Sequence, residues 1–139
     1  MKFDWSEYFN LAQELAAISS ENSASSEAKL RSAVSRAYYS VFCLSRNYLR
    51  DIEKDPRLSR KNSFDINEHQ YVAEEFIFHK SQHPKIIKIG ENLSRLRELR
   101  NKADYADTIF NLQKDVKYAL KISENIISSL SDLKQDTES

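Results

Sequence analysis

From Trp5 the apolar residues Trp5, Tyr8, Phe9, Ala12, Leu15, Ala16 and Ile18 follow a three–four spacing. Asp4 stands where it can cap the start, so the pattern predicts a first helix over about 4–19. The stretch SSENSASSE at 19–27 holds five serines and no large apolar side chain. It is expected to be a polar connection, with Ser25 or Ser26 capping the second helix. Leu30, Val34, Ala37, Val41, Leu44, Tyr48 and Ile52 then form one stripe, which predicts a central helix over about 26–52. Residues 53–64, with Pro56, scattered cations and no periodicity, are expected to be a mobile loop. A third helix is expected over about 66–81, its apolar face drawn through His69, Val72, Phe76 and His79. Pro84 fits the first turn of a fourth helix over about 84–105. Leu112, Val116, Ala119, Leu120, Ile126, Ile127, Leu130 and Leu133 predict a last helix over about 109–133, and the polar tail KQDTES (134–139) is expected to fray.

One glycine and two prolines leave almost none of the punctuation that hairpins need, so sheet architecture is not expected. The expectation is an all-α bundle of four to five helices, forming one domain over 1–139 with its core between about 4 and 133. A chain of 139 residues with 40% hydrophobic content buries enough surface to stand without disulfides or a structural metal. The lone Cys43 and the three histidines show no CxxC or CxxH spacing, which argues against a zinc module and fits a reducing compartment. No apolar run approaches the ~18 residues that span a bilayer. The opening MKFDWSEYF carries Asp4 and Glu7, so a cytoplasmic protein with no membrane partner is expected. With Gly90 as the only glycine, a glycine-rich phosphate loop is excluded.

Charge changes the picture through its distribution. The 21 basic and 21 acidic residues cancel, which speaks against a general nucleic-acid coat protein. Yet residues 31–61 and 84–102 are net basic, and the segments around them net acidic. Such bands fit either a cationic groove or the solvated faces of a bundle. The densest run is RLRELRNKADY at 95–105. Ile86, Ile89, Leu93 and Leu96 step by three and four, so the next buried positions are 99 or 100, then 103, and Arg100 lies on or beside the buried face. A guanidinium there needs acceptors, because breaking a buried ion pair costs about 3–5 kcal/mol. Asp104, four residues on, is one candidate, and a ligand is another. Tyr105 is about 140° around an ideal helix from Arg100. Asn101 is placed to read a sugar or phosphate oxygen, or to cap the loop. His79 and His83 have the spacing of one metal edge, but Pro84 ends the helix between them, and no metal site is expected. Cys43 reads as a small buried thiol. Tyr38, Tyr39, Phe42 and Tyr48 form an aromatic cluster suited to the core or to a dimer interface. Arg36, Arg46 and Arg50 flank it, available to an acidic partner or to RNA phosphates.

The combination of RSAVSRAYYSVFCLSRNYL at 31–49, a His-led third helix from His69, and LRELRNKADYAD at 96–107 resembles the HEPN superfamily. More narrowly, it is similar to the small prokaryotic members with an Ala-Tyr-Tyr helix and a late Ala-Asp-Tyr, and the likeness covers about 28–130. The resemblance implies a four- to five-helix up-and-down bundle that pairs as a homodimer. In active members an Arg, a following polar residue and a His four to six positions on form a metal-independent ribonuclease site that faces its copy across the dimer. Arg100 and Asn101 match the first two, while Tyr105 stands where the His is expected. Tyrosine, with an ordinary pKa near ~10, is a poor base at neutral pH. His69 reads as a core residue and is not counted as catalytic.

The resemblance and the residues together point to a dimeric RNA- or protein-binding component of a prokaryotic defence or toxin–antitoxin type system, with a degenerate ribonuclease motif. A minimal nucleotidyltransferase is the implied protein partner, and no cofactor is implied. Arg36, Arg97, Arg100 and Lys102 are the expected nucleic-acid contacts, and Tyr38, Tyr39 and Phe42 the expected interface. One alternative is an active metal-independent endoribonuclease using Arg100, Asn101, Asp104 and Tyr105. The other is a structural adaptor without RNA binding.

Overall fold

A computed structural model describes residues 2–18, 24–59 and 67–138, and among these residues there is no strand. Five helices are present: α1 (Ser6–Ile18), α2 (Ala24–Asn47), α3 (Glu68–Ile77), α4 (Pro84–Tyr105) and α5 (Leu112–Glu138). The last turn after α2 widens into a π-helical turn, Tyr48–Ile52, and a short 3-10 turn follows at Pro56–Leu58. No helix among the described residues is long and apolar enough to cross a membrane.

The predicted stripes are the ones that are buried. Val34, Ala37 and Val41 of α2 meet Val72 and Phe76 of α3, Ile89, Leu93 and Leu96 of α4, and Ala119 and Ile126 of α5 in one core. α2 is central, packing against α1, α4 and α5. Cross-helix bonds give the directions. The Ser40 hydroxyl donates to the Trp5 carbonyl at 2.8 Å, while Arg31 reaches the carbonyls of Ala103 and Ala106 and Tyr38 lies beside Arg100. Lys85 meets Asp132 and Lys102 meets Asp115. α1 and α4 therefore run opposite to α2 and α5. α3 runs alongside α2 in the same sense, since Phe42 meets His69 and Tyr48 meets Phe76.

Several boundaries differ from expectation. Helix α2 begins at Ala24, so Ser25 and Ser26 fall inside its first turn rather than capping it. There Glu27 supports the positive helix end and pairs with Arg31 at 3.5 Å. Residues 19–23 of the expected connection at 19–27 lie outside the described residues, as do 60–64 of the expected loop. The described part of that loop is anchored: Leu58 is buried, and the Tyr71 hydroxyl donates to Asp55 at 2.6 Å. α3 stops four residues short of expectation. The backbone turns after Phe78, His79 bonds Ser81, Gln82 takes a positive φ, and His83 caps the next helix by accepting from the Lys85 amide at 3.1 Å. α5 begins three residues late, after Asn111 at positive φ, and continues through the expected tail to Glu138 because Lys134 and Gln135 are good helix formers. α4 spans the expected 84–105.

The single glycine has a steric reason. A Cβ on Gly90 would lie 2.6 Å from the Ala73 carbonyl oxygen and 2.7 Å from the Ile77 amide nitrogen, both main-chain atoms of α3. Close approach of α3 to α4 thus depends on the missing side chain.

Candidate functional site

α2, α3 and α4 bring together residues that are far apart in sequence. Arg100 continues the stripe Ile86–Ile89–Leu93–Leu96 and is 8% exposed. Its guanidinium carbon lies 5.4 Å from the ring centres of both Tyr38 and Tyr39. Such cation–π placement favours the charge when water is excluded. Asp104 is its ionic partner, at 3.7 Å, and is shared with the Ser35 hydroxyl at 3.5 Å. The Arg100 Nε and the Arg97 Nε are buried and make no hydrogen bond among the described residues. Two guanidiniums thus meet on one side of the aromatic face with less acceptor than they can use.

His69, at the start of α3, completes the cluster. Its ring stacks on Phe42 with centroids 4.2 Å apart, and its Nδ1 is 2.6 Å from the Tyr38 hydroxyl. Burial first, then the charges of Arg97, Arg100 and Arg46, push His69 down to about 4, so the imidazole is neutral at neutral pH. Burial likewise pushes the Tyr38 phenol well above its ordinary value. A neutral, hydrogen-bonded pair of phenol and imidazole results. His69 is half-buried, at the edge of the core rather than inside it. Its neighbours are not foreseeable from sequence, because no local spacing joins residue 69 to residues 97 and 100.

The same face of α2 continues towards α1. Arg36 lies over the Tyr8 ring at 5.1 Å, and Arg46 lies over Trp5 and Phe42 at 5.8 and 5.9 Å. Phe3, Trp5 and Tyr8 are in mutual ring contact, with centroids 4.9 to 5.5 Å apart. Of Arg36, Arg46, Arg97 and Arg100, only Arg100 has a carboxylate within 4 Å among the described residues, that of Asp104. The other paired cations behave differently: Lys2, Arg31, Arg50, Lys85 and Lys102 each face an Asp or Glu within 4 Å.

The remaining sequence candidates separate. Lys102 is about 160° around α4 from Arg100 on an ideal helix and bonds Asp115 of α5 at 2.8 Å, away from the arginine face. Tyr105 ends α4 and is 75% exposed, outside the Arg100 cluster. Asn101 is exposed and lines a groove between α3 and α4 with His69 and Arg97. Tyr38 and Phe42 spend their surface inside the protomer, being 1% and 4% exposed, which leaves half-buried Tyr39 as the interface candidate with surface to offer. Cys43 is buried, and burial pushes its thiol up, the opposite of an activated nucleophile. His79 bonds Glu53 at 3.0 Å while His83 caps α4, so the two are engaged separately.

The outer end of α4 is fixed from α2. Arg31 donates to the carbonyls of Ala103 at 3.1 Å and Ala106 at 2.6 Å, supplying partners at a helix end that has none of its own. That contact ties down the last turn of α4, which carries Asp104, the ionic partner of Arg100.

A family model described as HEPN domain matches residues 14–133. No curated protein and no solved structure matches the chain.

Proposed function

The chain belongs to the HEPN domain family, and on that premise we propose that it is an RNA-binding, non-cleaving subunit, paired with a second copy, of a prokaryotic defence or toxin–antitoxin type system. The observation that carries this reading is the arginine–aromatic face. Arg36, Arg46, Arg97 and Arg100 lie along α2 and α4 near the half-buried rings of Trp5, Tyr8 and Tyr39, and only Arg100 forms an ion pair among the described residues. Interleaved cations and rings suit a single-stranded backbone: the charges meet phosphates and the rings offer stacking surface. Cleavage is disfavoured by the residues present. Tyr105 replaces the family's histidine and points to solvent, and His69 is a neutral imidazole whose Nδ1 is occupied by Tyr38.

A second reading, an active endoribonuclease, is favoured by one observation: His69 stands beside the two arginines of α4, where burial first and then their charges depress its pKa. In that case His69 rather than Tyr105 would exchange the proton.

The deciding experiment uses a labelled single-stranded RNA, with binding and cleavage followed together, with and without divalent metal. Binding is expected to weaken steeply between ~50 and ~200 mM salt, and the Arg36→Gln/Arg97→Gln variant should flatten the slope of log affinity against log salt by about 1.4. No cleavage is expected. No binding at low salt overturns the proposal. Cleavage by the wild type, lost in a folded Arg100→Ala protein, establishes the second reading instead.

A further inference from the structure

The groove between α3 and α4, about 440 Å³ in volume, is not used by the arginine–aromatic face and touches it only at His69 and Arg97. We propose that this groove receives a nucleobase, and that guanine is the base it fits. The inference deepens the RNA-binding reading and rests on it for the source of the base, not for the groove.

Shape and polarity carry the argument. Ala73, Ile77 and Leu93 contribute apolar surface, while Gln70, Arg97, Glu98 and Asn101 contribute polar groups. On α4, Ser94, Arg97, Glu98 and Asn101 fall within about 100° of one another on an ideal helix, so they address one object. Pockets of a few hundred cubic ångströms with apolar surface and a few convergent polar groups are typical of small planar ligands. The groups are of both kinds. Glu98 only accepts, Arg97 only donates, and Asn101 does both. The Gln70 amide donates to Glu74 at 2.8 Å, which leaves its carbonyl oxygen as an acceptor.

Other ligand classes fit less well. The carboxylates of Glu74 and Glu98 repel a phosphate, and the polar wall rejects an acyl chain. Among the described residues no cluster of three His, Cys, Asp or Glu is placed to hold a metal. A nucleobase has what the groove asks for: two apolar faces and an edge that carries donors and acceptors together.

Guanine follows from the charged pair. Its N1–H and exocyclic amine present two donors side by side, the geometry a carboxylate such as Glu98 accepts. Its O6 and N7 present two acceptors to a guanidinium. Adenine has a donor at the position of O6 and no N1–H, so it would face Arg97 with a donor and leave Glu98 short of one. Arg97 lines this edge and forms no ion pair among the described residues, so the terminal guanidinium nitrogens, rather than the buried Nε, are the donors it offers. Gly90 holds the two helices close enough for the groove to have a floor.

The test titrates the full chain with guanosine, guanosine 5′-monophosphate and adenosine 5′-monophosphate by amide NMR. Alongside, RNA affinity is measured for an oligoadenylate and for the same strand with one internal guanine. The variant is Glu98→Gln, at an exposed position where folding is not at risk. Guanosine and its monophosphate are expected to shift groove amides around Ala73, Arg97 and Asn101, at least about tenfold more tightly than the adenine nucleotide. Glu98→Gln should erase that preference while oligoadenylate is still bound.

If the guanine-containing strand also binds about tenfold better, and loses the gain in Glu98→Gln, the base comes from RNA. If mononucleotides show the preference and RNA does not, the source is the free nucleotide. Equal affinity for the guanine and adenine ligands, or no guanosine shift in the groove, overturns the proposal. That failure is distinct from failure of the RNA reading, which would show as loss of oligoadenylate binding with the guanosine response intact.

Discussion

Replacing Gly90 with alanine tests whether the close approach of α3 to α4 depends on the absence of a side chain. Two effects oppose each other. Alanine in a helix interior is favoured over glycine by about 1 kcal/mol. Against it, the new Cβ would stand 2.6 Å from the Ala73 carbonyl oxygen and 2.7 Å from the Ile77 amide nitrogen. The first of these is 0.8 Å inside the 3.4 Å at which contact becomes ordinary. Ala73 oxygen and Ile77 nitrogen have the i to i+4 relation of one helical hydrogen bond, so neither yields alone and α3 must move as a body. Overpacking of this kind costs about 1–3 kcal/mol. The net expectation is a loss of up to about 2 kcal/mol and a Tm lower by up to about 8 °C, at roughly 4 °C per kcal/mol for a domain of this size. The assay is reversible thermal and urea unfolding of Gly90→Ala, with Lys88→Ala, an exposed position on the same helix, as the control. A Gly90→Ala protein more stable than wild type by about 1 kcal/mol refutes the steric argument, since it would leave the helix-propensity gain unopposed.

The site yields two further expected outcomes. His69 is held at about 4 in the folded chain against 6.5 in the unfolded one, so the unfolded state binds the extra proton between these values. The neutral imidazole therefore contributes stability in full above pH 6.5, and that contribution is lost as the pH falls towards about 4; urea unfolding of wild type and His69→Gln across that interval should show a steeper acid decline in the wild type, and parallel curves would contradict the assignment. Arg31→Met keeps the side-chain stem but removes the donors to Ala103 and Ala106. Loss of charge-assisted bonds of this type costs about 1.5–3 kcal/mol, and faster amide exchange should be confined to the last turn of α4, whereas unchanged exchange there would show that the cap is dispensable.

The helices of this bundle are legible in the sequence because their signals are local. α4 is readable to its ends since Pro84 fixes its first turn, and the burial of Arg100 comes from extending a stripe of four aliphatic residues. Boundaries set by turn chemistry are not legible. The early stop of α3 depends on Gln82 at positive φ and on His79 and His83 making separate bonds, none of which a periodicity contains. The site is half legible for the same reason. Arg97, Arg100 and Asn101 share a face of one helix and can be grouped from spacing. The position of His69 against Tyr38, and the pairing of Lys102 with Asp115 rather than with a ligand, are products of packing between helices 13 or more residues apart in sequence. A lone glycine tells a reader of the sequence only which loops are ruled out, while its role as a contact point needs the neighbouring helix.

The shortness of α3 bears on how the protein opens. A helix of ten residues is below the length that is stable alone in water, so α3 is helical because it is docked, mainly on α4. It is therefore the natural unit of local unfolding, able to detach while α1, α2, α4 and α5 keep their mutual packing. Detachment would remove the His69 wall of the groove and uncover Tyr38, dismantling one binding surface and leaving the arginines of α2 and α4 in place. A ligand held between α3 and α4 would draw on that opening equilibrium, and its apparent affinity would report the order of ten residues as well as the contacts they make.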